Sequence, residues 1–373
     1  MKSFIYAMWL TIVIITFTSC SQINEIQKES SKSKPFIFAT WGYDNTSRTD
    51  QQWDSVFTKF HNAGITDFFM LADPAELSRM VRLTKGKGIR IHGWIITFRR
   101  PDDTVAEKHP DWYSVNREGK NSLEYNPYIK EYQWLSPFSN GAREYIKKNI
   151  EAVAEVKGLA SVHLDYVRYC DVFLPVGLQP RYNLVQDHQM PQFDFGYHPE
   201  ARKEFKRIFG VDPMKMKHPE LSIEWLQFRL NAVTSLVNEL ADIAHEHHTK
   251  ISAAVFPFPE LSRVYVRQDW SSWNLDIALP MLYNNYYNED INWIGFCTAQ
   301  GVREVHGRFP IYSGLFVPAL SPEKLKEAIL ISRENGASGV SFFNMHVLTD
   351  AHLKVIKQLN QEFNANQNLI SKK

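Results

Sequence analysis

The stretch Ala160-Ser-Val-His-Leu-Asp-Tyr-Val-Arg-Tyr169 is an apolar run that ends in ionisable and aromatic side chains. Helix-like segments flank it, so the pattern predicts a buried strand of a parallel sheet that is covered on both faces. Strand alternation places Ser161, His163 and Asp165 on one face. If that face lines a barrel interior, Asp165 is the last inward side chain before a loop, where barrel enzymes keep their functional groups. The alternative is that Asp165 and Arg168 form a structural ion pair at a strand end.

Strand-like and helix-like segments alternate from Pro35 onward. Around the strand just described, the other predicted strands are residues 36–43, 65–71, 89–98, 250–256, 275–283, 309–317 and 339–344. Helix starts separate them, such as Thr49 with Gln52 three residues later and Asp73 before Pro74. Eight strand-then-helix units predict a closed (β/α)8, or TIM, barrel. A doubly wound open sheet is less favoured, because no Gly-rich phosphate loop follows the first strand.

Two long segments rich in aromatic and polar residues follow the third and fourth predicted strands. The first runs from 99 to 140 and the second from 170 to about 200. Because both come after strand carboxyl ends, we expect them to overhang the same end of the barrel.

The first 20 residues have the pattern of an export signal. Lys2 precedes an apolar run over residues 4–17, which is too short and wrongly flanked for a stable membrane span. The run Thr18-Ser-Cys-Ser21 resembles a bacterial lipoprotein cleavage site, which implies lipidation of Cys20 and firm anchoring to a bacterial membrane by several acyl chains. Residues 21–34 are then a flexible tether, and residues 35–373 are the barrel domain. The alternative is a plain cleaved signal with an incidental cysteine.

The composition argues against some partners and favours others. A net charge of +1 without a basic stripe argues against nucleic acid. The chain contains 10 Trp and 16 Tyr, many beside loop-forming residues, which is typical of surfaces that stack on sugar rings. The alternative is that large loops have small cores of their own. Cys170 and Cys297 fall in distant segments, so we expect no disulfide.

In a barrel, functional groups lie at or just beyond the carboxyl ends of strands. The candidates at those positions are Tyr43, Asp44, Asp73, His92, Trp94, His163, Asp165, Tyr166, Arg168, Glu260, Arg263, Gln268, Asp269, Met281, Tyr283, Asn284, Asn344 and His346. Of these, Asp73 has the position of a helix cap. Strand seven ends without an acid, which excludes the glycosidase plan that places its nucleophile there.

Other hydrolytic plans lack their signatures. His92 lacks the second His of a His-x-His motif, no Gly-x-Ser-x-Gly elbow occurs, and nothing marks a base for Cys170. We therefore expect neither a metal nor a cofactor.

A pair of carboxylates among aromatic residues is what glycosidic bond cleavage requires. Asp165 is the first member, and we expect it to stay ionised through Arg168 or a tyrosine hydroxyl. The second member is Asp269 or Glu260, both after strand five, with Asp44 behind them. A carboxyl separation of about 5 Å would indicate retention of configuration, and about 6.5–9.5 Å would indicate inversion.

The remaining candidates would hold the sugar. Arg168, Tyr166 and Tyr283 are expected to orient it, and three tryptophans are either stacking platforms or core fillers. The tryptophans are Trp94, Trp112 and Trp134, and further predicted contacts are His163, Asp44 and Asn344.

Three segments resemble the family-10-like glycosyl hydrolases, a group of exported bacterial barrel proteins. They are residues 163–169, 266–270 and 275–283, and the loop Pro110-Asp-Trp-Tyr113 followed by Gly119 is also similar. The resemblance implies a (β/α)8 glycosidase fold and a link to bacterial cell-wall or other complex glycans. It carries over Asp165 as the catalytic carboxylate and Asp269 as a rim acid. One departure is Cys170, where we expect Pro after Tyr169.

Together these patterns predict a lipid-anchored, extracytoplasmic and monomeric glycoside hydrolase of one (β/α)8 domain, which acts on a glycan. The alternative function is a non-catalytic glycan-binding lipoprotein on the same scaffold, which would keep the aromatic platforms without a working acid pair.

Overall fold

The computed structural model describes residues 35–43 and 47–370, with side chains up to residue 365. The predicted signal peptide, the lipidated Cys20, the tether and Asp44 lie outside these residues. Within them, no helix combines the length and the apolar character that crossing a membrane requires.

Eight parallel strands form the sheet. They are β1 (Ile37–Tyr43), β2 (Ile65–Leu71), β3 (Arg90–Ile96), β4 (Ser161–Asp165), β5 (Lys250–Val255), β6 (Ile277–Pro280), β7 (Tyr312–Phe316) and β8 (Gly339–Phe343). The order is β6-β5-β4-β3-β2-β1-β8-β7, and parallel bridges from Ala278 to Ile311 and from Met281 to Gly314 join its two ends. The predicted (β/α)8 barrel is confirmed.

Helices follow the strands, as the barrel pattern requires. They are α1 (Asp50–Asn62), α2 (Pro74–Thr84), α3 (Asn140–Ala154), α4 (Pro199–Phe209), α5 (Ile223–Glu246), α6 (Pro259–Tyr265), α7 (Asn292–Val305), α8 (Pro322–Glu334) and α9 (Asp350–Ile370). The predicted caps are confirmed: Thr49 and Gln52 form a capping box, and the Asp73 carboxylate accepts the backbone N–H of Glu76.

By backbone contacts the chain divides into two compact units. Residues 37–357 form the first, which contains the barrel. The described residues of the second are 35–36 and 358–370, among which the ring of Phe36 packs edge-on against that of Phe363 at 5.4 Å between centroids.

Inward-facing polar side chains form a hydrogen-bonded row inside the barrel. The indole N–H of Trp41 donates to His163 Nε2 at 2.9 Å, and His163 Nδ1 lies 2.9 Å from the hydroxyl of Ser252. That hydroxyl lies 3.0 Å from Ser161, which in turn lies 2.7 Å from His92 Nδ1. The predicted inward face of β4 is therefore confirmed.

The structure corrects the ends of several predicted strands. β4 ends at Asp165, because Tyr166 takes a left-handed backbone conformation with φ 51° and turns the chain. The segment after β5 contains α6, which the sequence analysis missed, since Pro259 opens a helix of 7 residues that is too short for a clear period.

Candidate active site

A cavity of about 490 Å³ lies at the carboxyl ends of the strands, lined by the last residues of β1, β2, β3, β4 and β8. Its other walls come from the two long loops and from the segments after β5 and β6. The lining residues are Tyr43, Leu71, Trp94, Ile96, Arg99, Tyr132, Asp165, Tyr166, Arg168, Asp171, Leu174, Pro175, Leu178, Phe256, Pro257, Met281, Tyr283, Tyr286, Tyr287 and Phe343. The cavity has aromatic walls and a few charged groups, and its volume suits a ligand of a few sugar rings.

Asp165 lies at the wall of this cavity, and the residue is 8% exposed. One oxygen accepts the indole N–H of Trp94 at 3.1 Å, and the other accepts the backbone N–H of Tyr166 at 2.6 Å. Burial raises the pKa of Asp165 to about 6, against the opposing effects of the Tyr166 N–H, Arg168, Trp94 and Arg99. This carboxyl can therefore exchange a proton near neutral pH.

We expect from the sequence that Arg168 stabilises the charge of Asp165, and its positive charge does oppose the rise in the pKa of that carboxyl, but its direct ion pair is with Asp171. Arg168 Nη1 donates to Asp171 Oδ2 at 3.0 Å and to the carbonyl of Tyr169 at 2.9 Å. Burial alone would lower the pKa of Arg168, but Asp171 and neighbouring tyrosines raise it above its ordinary value. The correction follows from the turn after β4, which brings Asp171 back to Arg168 and leaves Asp165 without a direct ion pair.

The rings around Arg168 explain how a buried cation is held at the wall of the cavity. Its guanidinium carbon lies 4.8 Å from the ring centroid of Trp134, 4.9 Å from Phe256 and 5.3 Å from Tyr166. Such stacking suits a delocalised guanidinium, so Arg168 is fixed in position.

Six tyrosines are among the residues that line the cavity. Burial raises the pKa of Tyr132, Tyr283, Tyr286 and Tyr287, so these hydroxyls stay neutral and can both donate and accept hydrogen bonds. Neutral hydroxyls beside apolar rings match the alternating polar edges and apolar faces of a sugar.

The two acids predicted to face Asp165 do not line this cavity. Asp269 accepts from Arg263 Nε at 2.6 Å and from the Ser272 hydroxyl at 2.8 Å, and Glu260 lies exposed in the first turn of α6. Glu260 is in α6, and Asp269 lies four residues beyond the end of that helix, where Arg263 of α6 holds it. The structure therefore does not bring Asp269 or Glu260 together with Asp165.

Several predicted contacts with the sugar also fall outside the lining. Trp112 stacks on His109 with ring centroids 4.1 Å apart, and Trp134 is 1% exposed beneath Arg168. His163 belongs to the polar row inside the barrel, and Asn344 accepts the backbone N–H of His346 at 3.0 Å. Trp134 is thus a packing residue, and Trp112 lies half-exposed outside the cavity lining, whereas Trp94, Tyr166, Arg168 and Tyr283 do line the cavity.

Asp171 and Arg99 also line the cavity, although the sequence patterns did not predict them as site residues. Asp171 stands three residues after Arg168, a spacing that could have signalled an ion pair, and Arg99 follows the third strand by three residues. In the residues that the structure describes, no three His, Cys, Asp or Glu side chains converge to hold a metal ion. Cys170 and Cys297 are both buried and free.

Comparisons with known proteins add two findings. The model of the family described as "DUF4015: Putative glycosyl hydrolase domain" matches residues 52–303. No curated protein matches this sequence.

Solved structures with the same barrel include glycosidase domains. The glycoside hydrolase domain of PgaB (BpsB) from Bordetella bronchiseptica has a TM-score of 0.62 and 13% identity, over 89% of this chain and 98% of that one. The catalytic domain of β-amylase from Paenibacillus polymyxa has a TM-score of 0.63 and 10% identity, and the match covers 87% of this chain and 98% of that one. α-L-Fucosidase isoenzyme 2 from Paenibacillus thiaminolyticus has a TM-score of 0.55 and 11% identity, and the match covers 90% of this chain and 50% of that one. At these identities the likeness shows the fold alone.

Proposed function

This chain belongs to the family of "Putative glycosyl hydrolase" domains, and from that premise we propose that it hydrolyses O-glycosidic bonds of a complex glycan, with Asp165 as the reacting carboxyl group. One observation carries the proposal. A carboxyl with its pKa raised to about 6 lies at the end of β4, in an aromatic cavity large enough for a few sugar rings. The resemblance to the family-10-like glycosyl hydrolases supports the same residue.

The environment of Asp165 suits a group that attacks the sugar or activates water. With a pKa of about 6, roughly nine molecules in ten carry the ionised form at pH 7. Trp94 and the Tyr166 N–H hold the two oxygens in place, so little reorganisation is needed when the carboxylate reacts. Tyr283 and Arg168 line the same cavity and would orient the sugar hydroxyls.

The second acid is a proposal that needs its own test. Asp44 directly follows the cavity residue Tyr43 in the chain, and Asp171 lines the cavity but is paired with Arg168. Asp269 and Glu260 would have to leave their present positions to reach the sugar. We therefore rank Asp44 first among the acids that could protonate the leaving oxygen.

The test is the release of reducing ends from a panel of bacterial, plant and host glycans. Asp165→Asn should lower kcat at least about 1000-fold and leave glycan affinity within a few-fold, because stabilisation of the transition state is what it removes. Asp44→Asn, Asp171→Asn, Asp269→Asn and Glu260→Gln, measured in parallel, identify the second acid by a comparable loss. Equal turnover by wild type and Asp165→Asn would contradict the proposal.

The competing function is glycan binding without hydrolysis. It is favoured if wild-type protein binds a glycan from the panel, by calorimetry, but releases no reducing ends from any of them. Export and lipid anchoring at Cys20 are also proposed, on the sequence pattern alone. Radiolabelled palmitate should enter the wild-type protein expressed in bacteria and not the Cys20→Ala variant.

A further inference from the structure

Four charged side chains line the cavity, and they are not evenly matched. Arg168 and Asp171 neutralise each other in a direct ion pair at 3.0 Å. The other two are Arg99 and the carboxyl of Asp165, whose oxygens are already held by N–H donors from Trp94 and Tyr166. Arg99 is therefore the cation of this lining that has no ion-pair partner among the described residues.

The side chain of Arg99 is held by contacts of its Nε and of the guanidinium face, and its terminal nitrogens are free to bind a ligand. Its guanidinium carbon lies 5.0 Å from the ring centroid of Tyr166, and its Nε donates to the carbonyl of Glu131 at 3.2 Å. Among residues 35–43 and 47–365, no carboxylate lies within ion-pairing distance of Arg99, and its Nη1 and Nη2 have no hydrogen-bond partner. A half-buried guanidinium in this state is suited to an anion from outside the protein.

The ring of Tyr166 connects this cation to the reacting carboxyl. The guanidinium carbons of Arg99 and Arg168 lie 5.0 and 5.3 Å from its centroid, and the backbone N–H of the same residue donates to Asp165. An anionic group on Arg99 would therefore belong to a sugar at or next to the bond that is cleaved.

Resting on the proposed function, we propose that the substrate is an acidic glycan, in which a carboxylate or sulfate group of a sugar beside the scissile bond binds the terminal nitrogens of Arg99. A guanidinium binds such a planar or trigonal anion through two parallel N–H donors, which also orients the ring that carries it. Neutral glycans lack this contact and bind only through the aromatic walls and the groups that orient sugar hydroxyls.

The bound anion also changes the acid strength of Asp165. In the free protein, the positive charge of Arg99 is one of the effects that oppose the rise in the pKa of this carboxyl. A sugar anion on Arg99 cancels that effect, so the pKa of Asp165 rises further when the substrate binds. The acidic limb of the pH profile should thus lie at higher pH for kcat than for kcat/KM.

The experiment measures affinity, so that it does not depend on turnover. Calorimetry on the Asp165→Asn protein uses tetramers of galacturonic acid, sulfated galactose, glucose and glucosamine as probes for carboxylate, sulfate, neutral and cationic sugars. The variants Arg99→Gln and Arg99→Lys are compared in the same background. Arg207→Gln is the matched control, because Arg207 is an exposed arginine of α4 that pairs with Glu204 in the same helix and does not line the cavity.

We expect at least one acidic tetramer to bind at least 10-fold more tightly than the neutral and cationic ones. Arg99→Gln should lower that affinity about 10- to 100-fold and change the neutral affinity by less than 3-fold, with partial recovery in Arg99→Lys and no effect of Arg207→Gln. The carboxylate and sulfate arms tell which anion is bound. Absence of binding to either acidic probe, a preference for neutral or cationic sugars, or an equal loss on neutral sugars in Arg99→Gln would overturn the inference. Binding of acidic sugars without hydrolysis of any glycan would instead overturn the proposed function alone.

Discussion

At the scale of single residues, the burial that gives Asp165 its raised pKa also makes its ionised form unfavourable for the stability of the fold. Its oxygens accept two hydrogen bonds, yet burial outweighs them and raises its pKa to about 6, from an ordinary value of 3.8. The ionised form that dominates at neutral pH is therefore the form that the fold tolerates less well. Functional sites often hold such unfavourable groups, because the rest of the molecule is stable enough to retain them.

The free energy of unfolding should show this unfavourable effect as a dependence on pH. Well below pH 3.8 the carboxyl is protonated in both states and does not affect the free energy of unfolding. Between pH 3.8 and about 6 the unfolded chain ionises this group while the folded protein keeps it protonated, so about 3 kcal/mol of stability is lost over this range, and the loss is complete above the folded-state pKa of about 6. Asp165→Asn removes this loss, and its stability relative to wild type should be about 2–3 kcal/mol more favourable at pH 8 than at pH 4.

Urea unfolding at both pH values measures this difference. Asp242→Asn, at an exposed position of α5, is the control, and its effect should change by less than about 0.5 kcal/mol between the two pH values. A pH-independent effect of Asp165→Asn would show that Asp165 is not held in a buried, high-pKa state.

His163, two residues earlier on β4, has the opposite pH dependence. Burial, with a contribution from His92, holds the pKa of His163 well below its ordinary value of 6.5. The unfolded chain binds this proton first as the pH falls, so the stability that depends on neutral His163 is lost toward acid pH. The two neighbours therefore act on stability in opposite directions as the pH changes, so the Asp165→Asn variant is needed to isolate the contribution of the carboxyl.

At the scale of elements, the barrel depends on helices that come very close to the sheet. Gly93 in β3 faces outward, where a Cβ atom would lie 2.6 Å from Val153 Cγ1 in α3 and 2.9 Å from Leu77 Cδ1 in α2. Ordinary contacts between carbon atoms are about 3.5–4.0 Å, so the glycine is what allows both helices to cover this strand.

Gly93→Ala should destabilise the protein by about 1–3 kcal/mol through overpacking, and leave glycan affinity per folded molecule unchanged. Chemical unfolding measures the first effect and calorimetry measures the second. Val153→Ala supplies the missing space, so the double variant should lose less stability than the sum of the two single ones. Strict additivity would mean that Val153 does not confine this position.

Element boundaries decide which side chains reach the cavity. Because β4 ends at Asp165 and the chain turns at Tyr166, the following residues fold back and place Asp171 beside Arg168. Because α6 begins at Pro259, Asp269 is displaced to a position beside Arg263. One-residue shifts in such boundaries change which groups converge, and local patterns locate boundaries poorly.

At the scale of the whole molecule, the ring is completed between β6 and β7 by a few hydrogen bonds. The backbone N–H of Leu282 donates to the carbonyl of Gly314 at 2.8 Å. A Cβ atom at Gly314 would lie 2.7 Å from the carbonyl oxygen of Pro280 and 3.0 Å from Trp41 Cη2. The carbonyl of Pro280 belongs to the backbone and cannot easily move. The junction between β6 and β7, which we call the seam, therefore requires glycine at position 314.

Gly314→Ala should separate the seam, cost at least about 1–3 kcal/mol of stability, and also weaken glycan binding, because Met281 and Tyr283 line the cavity directly after β6. Unfolding and calorimetry on the same samples test this. Gly295→Ala, crowded by Ile331 between the outer helices α7 and α8, should destabilise without changing affinity. If both variants bind glycan like wild type, the seam does not position the cavity wall.

The sequence by itself determined the architecture, the helix caps and the strand-end position of Asp165. These follow from period, capping residues and alternation, which act over a few neighbouring residues. Only the tertiary structure decided that Arg168 binds Asp171, that Asp269 and Glu260 do not line the cavity, that Trp134 is a packing residue, and that Arg99 reaches the cavity without an acidic partner among the described residues. The physical reason is that desolvation and charge pairing depend on distances between segments far apart in the chain, which no local pattern contains.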